Sequence, residues 1–430
     1  MAVNDSTNFG SDVRNYIAQK TLSIAMKTVR FYQFGDKAQL PEKHGTTFQY
    51  TRYDRLALPQ SPLTEGTAPA SRSMGITVVT AVAEQWGDRV TITDVAELTI
   101  AHSPLQKAIT LLGVQSAETI DREVERVIFA GTNVFYANQA LSRAAIGSAA
   151  YLTENDVKRI VANLRTNGAM GMEKPETPFD DPMLGDLYIG IVDPYSEMDL
   201  TSISNFVDAK KYQDAKTLWN GEVGTWGGVR FVRSNLLPTI TSGAAIAATN
   251  GSAGSFAGGS GTKVNYTVTG VDVNTGYERV VYQIGTAAFT SANAGTLSFS
   301  ITMPTNTGFT YNVYVGAEGA APSSTALFLA ASGQSAGAAV VVTASPATTN
   351  TAVPALLGSA GSKIHLAYFL GKEAYTVVNL QNLQSTLTPP GETDSDPLAQ
   401  RRHAGWKVFF KAVINNNNFF ARWEGESNHD

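Results

Sequence analysis

Phe48-Gln-Tyr-Thr-Arg52, Ile76-Thr-Val-Val79 and, further on, Ser103-Pro-Leu-Gln106 decide how this chain is read. Phe48, Tyr50 and Arg52 alternate with polar neighbours, and Ile76 and Val78 do the same on the returning side. That is the period-two signal of half-exposed strands. Pro59 to Ser71 between them is rich in Pro, Gly and Ser, the composition of a loop tip, and Val90-Thr-Ile-Thr93 resumes the strand pattern. A two-stranded ribbon on its own is at best marginally stable in water, so this one is expected to lie on a neighbour.

The next segment supplies a strut. Ser103 stands at an N-cap, Pro104 at the first helical position and Gln106 three residues after the cap, a capping box with Pro preset for helical φ. Leu105, Ile109, Leu112, Ile120, Val124 and Val127 follow at helical spacings, Glu118 precedes Arg122 by one turn, and Gly131 ends the run. A helix of about 27 residues spans roughly 40 Å, well beyond the average of about 11 to 12 residues.

An extended arm feeding a long spine helix resembles the major capsid proteins of tailed bacteriophages with the Hong Kong 97-type fold. The order continues through Thr153 to Asn167, Asp186-Leu-Tyr-Ile-Gly-Ile-Val-Asp-Pro194, Trp219 to Pro238, Lys363 to Leu380 and Gly405 to Trp423. Leu63-Thr-Glu-Gly, Phe129-Ala-Gly-Thr-Asn and Gly227-Gly-Val-Arg-Phe-Val look like the coat proteins of N4-like phages. The resemblance implies an α+β fold with an N-terminal arm at 1–43 and an extended loop at 44–98. A peripheral domain follows at 99–185, with its spine helix at 103–131. The axial domain is divided into 186–238 and 363–395, and 396–430 returns to the peripheral domain.

Residues 239–362 differ in kind from the rest. Only Lys263, Asp272, Glu278, Arg279 and Glu318 are charged there, five of the 69 charged residues in the chain. Period-two runs such as Val264-Asn-Tyr-Thr-Val, Tyr277-Glu-Arg-Val-Val-Tyr, Leu297-Ser-Phe-Ser-Ile and Tyr311-Asn-Val-Tyr-Val are separated by Asn274-Thr-Gly, Asn293-Ala-Gly, Pro304-Thr-Asn and Gly319-Ala-Ala-Pro. Short strands at this spacing read as an inserted, immunoglobulin-like antiparallel β-sandwich in the axial domain. Gly251 to Gly261 alone would suit a flexible linker, but ten aromatics give the segment apolar surface enough to order. Those aromatics either fill the core or stand exposed to bind host glycans, and filling the core is the commoner use.

Composition fits a large soluble protein. The chain has 430 residues, 43% of them apolar and 16% charged, and it lacks cysteine. Disulfides, thiolate zinc sites and cysteine nucleophiles are thereby excluded, and a reducing cytoplasm suits it. The start Met-Ala-Val-Asn-Asp-Ser has neither a basic nor an apolar run, and no apolar stretch approaches the ~20 residues of a membrane span. A net charge of −5 argues against a dedicated nucleic-acid binder. Arg14, Lys20, Lys27 and Arg30 make the one locally basic stretch. It reads first as the solvated face of an amphipathic helix and second as an inner-surface contact with DNA or a scaffold.

No constellation for catalysis emerges. His44, His102, His365, His403 and His429 lack ligand spacing, and there is no phosphate loop or nucleophile elbow. Asp180, Asp181, Asp193, Glu197 and Asp199 cluster in sequence, but Asp193-Pro194 reads as a helix cap and first helical residue. No catalytic, cofactor-binding or metal residue is therefore assigned. At the C-terminal end, Trp406, Phe410, Phe419 and Trp423 are expected core anchors of a hairpin turned by Asn415 to Asn418.

The resemblance implies a structural protein of the virion: a coat subunit assembling into hexamers and pentamers of an icosahedral shell. It would meet portal, scaffolding and decoration proteins, and packaged double-stranded DNA non-specifically. It would need no cofactor, cross no membrane and assemble in the host cytoplasm. The extended-loop residues expected at contacts between subunits are Phe48, Tyr50, Arg52, Arg55, Arg72 and Trp86. An encapsulin-like cellular nanocompartment shell is the alternative, and a glycan-active enzyme with an appended sandwich is a third reading without a nameable acid–base pair. Some relatives lock the shell by an isopeptide bond from a lysine in the arm. No lysine occurs from His44 to Gln106, so a non-covalent shell is expected.

Overall fold

The computed structural model describes residues 29–41, 43, 45–53, 56, 58, 62, 71–99, 104–147, 150–172, 187–204, 206–209, 221–256, 263–289, 297–319, 326–354, 361–388 and 400–429. The chain is strand-rich α+β and divides into two compact units. One comprises Met1–Asn133, Leu164–Lys174 and Leu370–Phe420, and the other comprises Val134–Asn163, Pro175–Phe369 and Ala421–Asp430.

Among the described residues the first unit contains a short helix, α1 (Phe31–Phe34), and strands β1 (Asp36–Gln39), β2 (Thr47–Tyr53), β3 (Ile76–Val82) and β4 (Glu84–Thr93). Helices α2 (Asp94–Thr99) and α3 (Pro104–Phe129) follow. The long strands β20 (Tyr375–Thr388) and β21 (Arg401–Ile414) complete a sheet ordered β1-β20-β21-β4, while β2 and β3 pair only with each other.

The 26-residue α3 is the spine anticipated from spacing, and Ile109, Leu112, Ile120 and Val124 form its buried face. Ser103 and Arg55, like Arg14, Lys20, Lys27 and most of the loop tip, lie outside the described residues. At its far end Gly131 is needed for close approach, because a Cβ there would collide with the Phe420 ring. β21 alternates as its sequence does: Ala404, Trp406, Val408, Phe410 and Ala412 are buried while Lys407, Phe409, Lys411 and Val413 are only half-buried.

The second unit begins with β5 (Val134–Tyr136), helix α4 (Glu154–Thr166), β6 (Tyr188–Val192) and helix α5 (Pro194–Thr201). Next come β7 (Val207–Asp208), β8 (Glu222–Trp226), β9 (Val229–Arg233) and β10 (Ile240–Gly243). Eight further strands lie in residues 244–354: β11 (Ala248–Phe256), β12 (Lys263–Asp272), β13 (Glu278–Tyr282), β14 (Gly285–Ala288), β15 (Leu297–Thr302), β16 (Phe309–Gly316), β17 (Leu327–Gln334) and β18 (Ala339–Val342). β19 (Lys363–Leu370) and β22 (Phe420–Gly425) close the set. Among the described residues one sheet runs β17-β16-β12-β13-β10-β19-β6-β9-β8-β7, with β22 pairing β19 and β5.

A separate sheet, β11-β15-β18, shares a core with β12 and β16 made of Phe256, Tyr266, Phe289, Phe299, Tyr311 and Val313. Every one of the ten aromatics between Thr239 and Ser362 is buried or half-buried, so none offers an exposed platform for a sugar. Three of the five charges there have partners within the segment. Arg279 bridges Asp272 at 3.0 Å, and Glu278 accepts from Thr269, Asn312 and Tyr314.

Three details depart from what spacing predicts. Phe420, not Phe419, is fully buried, with Trp406, Phe410 and Trp423. β21 and β22 are not hairpin partners: β21 pairs with β20 and β4, and β22 with β19 and parallel to β5. Nor do Asn415 to Asn418 use left-handed φ; the turn is made by the Asn416 side chain accepting from the Asn418 amide at 3.1 Å.

Candidate inter-subunit surface

β2 and β3 pair in strict antiparallel register, Tyr50 with Val79 and Thr51 with Val78. Directly opposed residues share a face, so the ribbon has two chemically different sides. Phe48, Tyr50, Arg52, Thr77, Val79 and Ala81 turn toward the unit's own sheet. Phe48 packs against the cluster of Leu40, Ala83 and Val378, and Arg52 Nη1 donates to the Asn415 carbonyl at 3.1 Å. Burial, with Glu373 and Asp36 nearby, holds the Tyr50 phenol above its ordinary pKa.

The opposite side carries Tyr53, Ile76, Val78 and Val82, each between 51% and 62% exposed, interleaved with Thr47, Gln49, Thr51 and Thr80. It holds no charged residue. Met74, Leu56 and Leu58 extend the exposed apolar set toward the tip. Isolated apolar side chains on a surface are ordinary, but here they form a stripe along a ribbon that pairs with no third strand among the described residues. The sequence reading named one side of this ribbon, Phe48, Tyr50 and Arg52, and missed Tyr53 and Val82 on the other. Arg72 is exposed just before β3, and Trp86 is half-buried on β4 opposite Val408. Arg30 is held at the start of α1, its backbone amide donating to Asp121 at 2.9 Å.

The second unit contains the polar groups that could suggest chemistry, and each has a structural partner. Asp193 caps α5, accepting from the Ser196 amide at 3.1 Å, and its other oxygen lies 2.6 Å from Nδ1 of buried His365. A cavity of about 390 Å³ is lined by Glu197, Asp208, Glu222 and Arg233. Arg230 grips Glu222 through two nitrogens at 2.6 and 2.5 Å, and Arg233 reaches Glu197 at 3.5 Å. Buried Arg143 likewise forks onto Glu424 at 2.6 and 2.7 Å, with Arg422 on the same carboxylate at 2.9 Å. Among the described residues no group of three or more histidines and carboxylates is placed to hold a metal, and no helix is long and apolar enough to cross a membrane.

No family model matches the sequence, and comparison with curated proteins gives no match. Solved structures do share the fold. The capsid of Ralstonia phage GP4 superposes with a TM-score of 0.52 at 10% identity, covering 93% of this chain and 92% of that one. The capsid asymmetric unit of cyanophage Pam1 gives a TM-score of 0.50 at 10% identity, covering 95% and 93%. Over the parts that superpose, the fold of this chain is therefore that of these phage capsid chains.

Proposed function

We propose that the chain is the major capsid protein of a tailed bacteriophage, a Hong Kong 97-type subunit that assembles into hexamers and pentamers of an icosahedral shell around the genome. The observation that carries this is the fold correspondence with two phage capsid chains, which leaves less than a tenth of either chain uncovered. Its mechanism is geometric. The open Tyr53, Ile76, Val78 and Val82 face of the ribbon lies on the next copy, α3 carries the long dimension of the peripheral domain, and the domain around β6, β8, β9 and β19 meets its copies about the local axis. Symmetry repeats each modest contact around every capsomer, and closed rings gain a cooperativity that no single pair supplies.

In this reading residues 239–362 are a β-sandwich inserted in the axial domain, and Arg14, Lys20, Lys27 and Arg30 face the packaged DNA or a scaffold. A net charge of −5 suits a shell that encloses DNA without gripping it. In this reading the N4-like motifs ally the subunit with that group of phages, its partners are portal, scaffolding and decoration proteins, and it assembles in the host cytoplasm. Sedimentation of the purified protein tests the reading: capsomers or closed particles are expected, and a monomer that stays monomeric at high concentration overturns it.

A further inference from the structure

We propose that Asp121 is a pH-sensitive latch tying the chain at Arg30–Tyr32 to the middle of α3, tight when its carboxyl carries a proton and loosened when it ionises. The proposal is independent of the shell reading. Asp121 sits on the buried face of α3 and is 1% exposed. Its Oδ1 accepts from the backbone amides of Arg30 at 2.9 Å and Tyr32 at 3.0 Å. Its Oδ2 is buried with no hydrogen-bond partner among the described residues. A buried carboxylate oxygen without a donor is costly when charged and much less so when protonated.

The held segment is anchored independently on its other side. Tyr375 donates its hydroxyl to the Phe31 carbonyl at 2.5 Å, and Asn379 donates to the Tyr32 hydroxyl at 2.6 Å. Phe31 and Phe34 are buried. The carboxyl therefore bears on a short segment that is otherwise packed in place, and opening it means withdrawing the Arg30 and Tyr32 amides from Oδ1 and the Phe31 amide from the carboxyl.

The charged and titratable groups around it come from the Arg30–Tyr32 segment, β1, β20 and α3. Arg30 lies on the held segment, with Tyr32 and with Lys37 over the Tyr32 ring at 4.9 Å. Tyr375 faces it from β20, with Asp36 behind. On α3 itself Glu118, Arg122 and Glu125 are within one turn, Arg122 being engaged by Glu123 at 3.2 Å. Burial pushes the Asp121 carboxyl up to about 6, against the pull of the Tyr32, Arg30 and Phe31 amides and the Arg30 charge.

The direction follows from linkage. Released, the carboxyl titrates near 3.8; latched, it titrates near about 6. Below the lower value both states are neutral and the latch is at its strongest. Between the two only the released state ionises, so the latch weakens as pH rises, and above the upper value the loss is complete.

Hydrogen exchange of the full-length protein, read on a peptide spanning residues 29–35 and corrected for intrinsic rates, tests this. Protection should fall about tenfold between about pH 5 and about pH 7.5, while peptides from the β20–β21 core stay constant. Asp121→Asn keeps an acceptor oxygen but cannot ionise, and should abolish the dependence; Asp36→Asn should leave it. The proposal is overturned if wild-type protection is flat with pH, if Asp121→Asn retains the dependence, or if Asp36→Asn removes it. Should the Asp121→Asn chain fail to fold, the wild-type series and Asp36→Asn still decide.

Discussion

Thr241 on β10 and Lys363 on β19 are register neighbours in one sheet, although the whole β-sandwich lies between them in sequence. The pairing continues outward: the Ser242 amide donates to the Ser362 carbonyl at 2.8 Å and the Gly361 amide to the Ser242 carbonyl at 2.9 Å. The two ends are thus already positioned as the legs of a hairpin. Replacing residues 243–361 by Asn-Gly leaves Ser242 and Ser362 as flanking partners and should close that hairpin with a favoured two-residue turn. The trimmed subunit is expected to stay soluble with a cooperative thermal transition, and residues 244–360 expressed alone should give a β-rich circular dichroism spectrum. An insoluble trimmed subunit, or an unstructured excised segment, would mean the region is part of a larger core.

The two sides of the ribbon should separate assembly from stability. Val78→Glu places a charge on the open face, where a surface change alters stability by less than about 0.5 kcal/mol, yet it should block assembly because the charge would be buried against the next copy. Phe48→Ala, on the inward face, should cost about 1–2 kcal/mol in urea denaturation through lost burial. If Val78→Glu assembles normally, the open face is not a contact.

How much of this could be read from residues alone depends on the range over which each signal acts. The α3 helix, the β21 alternation and the Asp193 cap are written in local spacing, and the structure reproduces them. The ribbon's orientation is not local. Both its faces carry apolar residues, and only the register, Tyr50 against Val79 and not Val78, separates Phe48 and Tyr50 from Ile76 and Val78. Phe419 and Phe420 differ by one position, and a one-residue shift exchanges inside for outside. The pairing of β22 with β5 and the Asp121 contacts with Arg30 and Tyr32 join residues far apart in the chain, and no spacing rule reports them.

Glu424 should make the fold acid-sensitive. It is fully buried, which by itself raises a carboxyl pKa, but the Arg143 fork and Arg422 outweigh burial and hold it below its ordinary value. A depressed folded pKa contributes stability that is present above the unfolded value of 4.5 and is lost as pH falls through the folded one. Glu424→Gln should remove that acid-dependent loss and, by taking away the carboxylate charge that Arg143 and Arg422 share, cost about 3–5 kcal/mol near neutral pH. Urea midpoints measured across pH for both proteins check this; superimposable pH profiles would contradict it.

The shell should be held without covalent cross-links, since the arm carries no lysine from His44 to Gln106. Particles boiled in detergent are expected to run as a single band at subunit mass on a denaturing gel. A ladder of multimers would refute the prediction.

Cryo-electron microscopy of the assembled protein decides whether this chain builds a shell through its ribbon. Closed, single-layer icosahedral particles are expected, in which Tyr53, Ile76, Val78 and Val82 of each copy lie against the next. Particles in which that face is turned to solvent, or a protein that yields no particles or capsomers at any concentration, would contradict it.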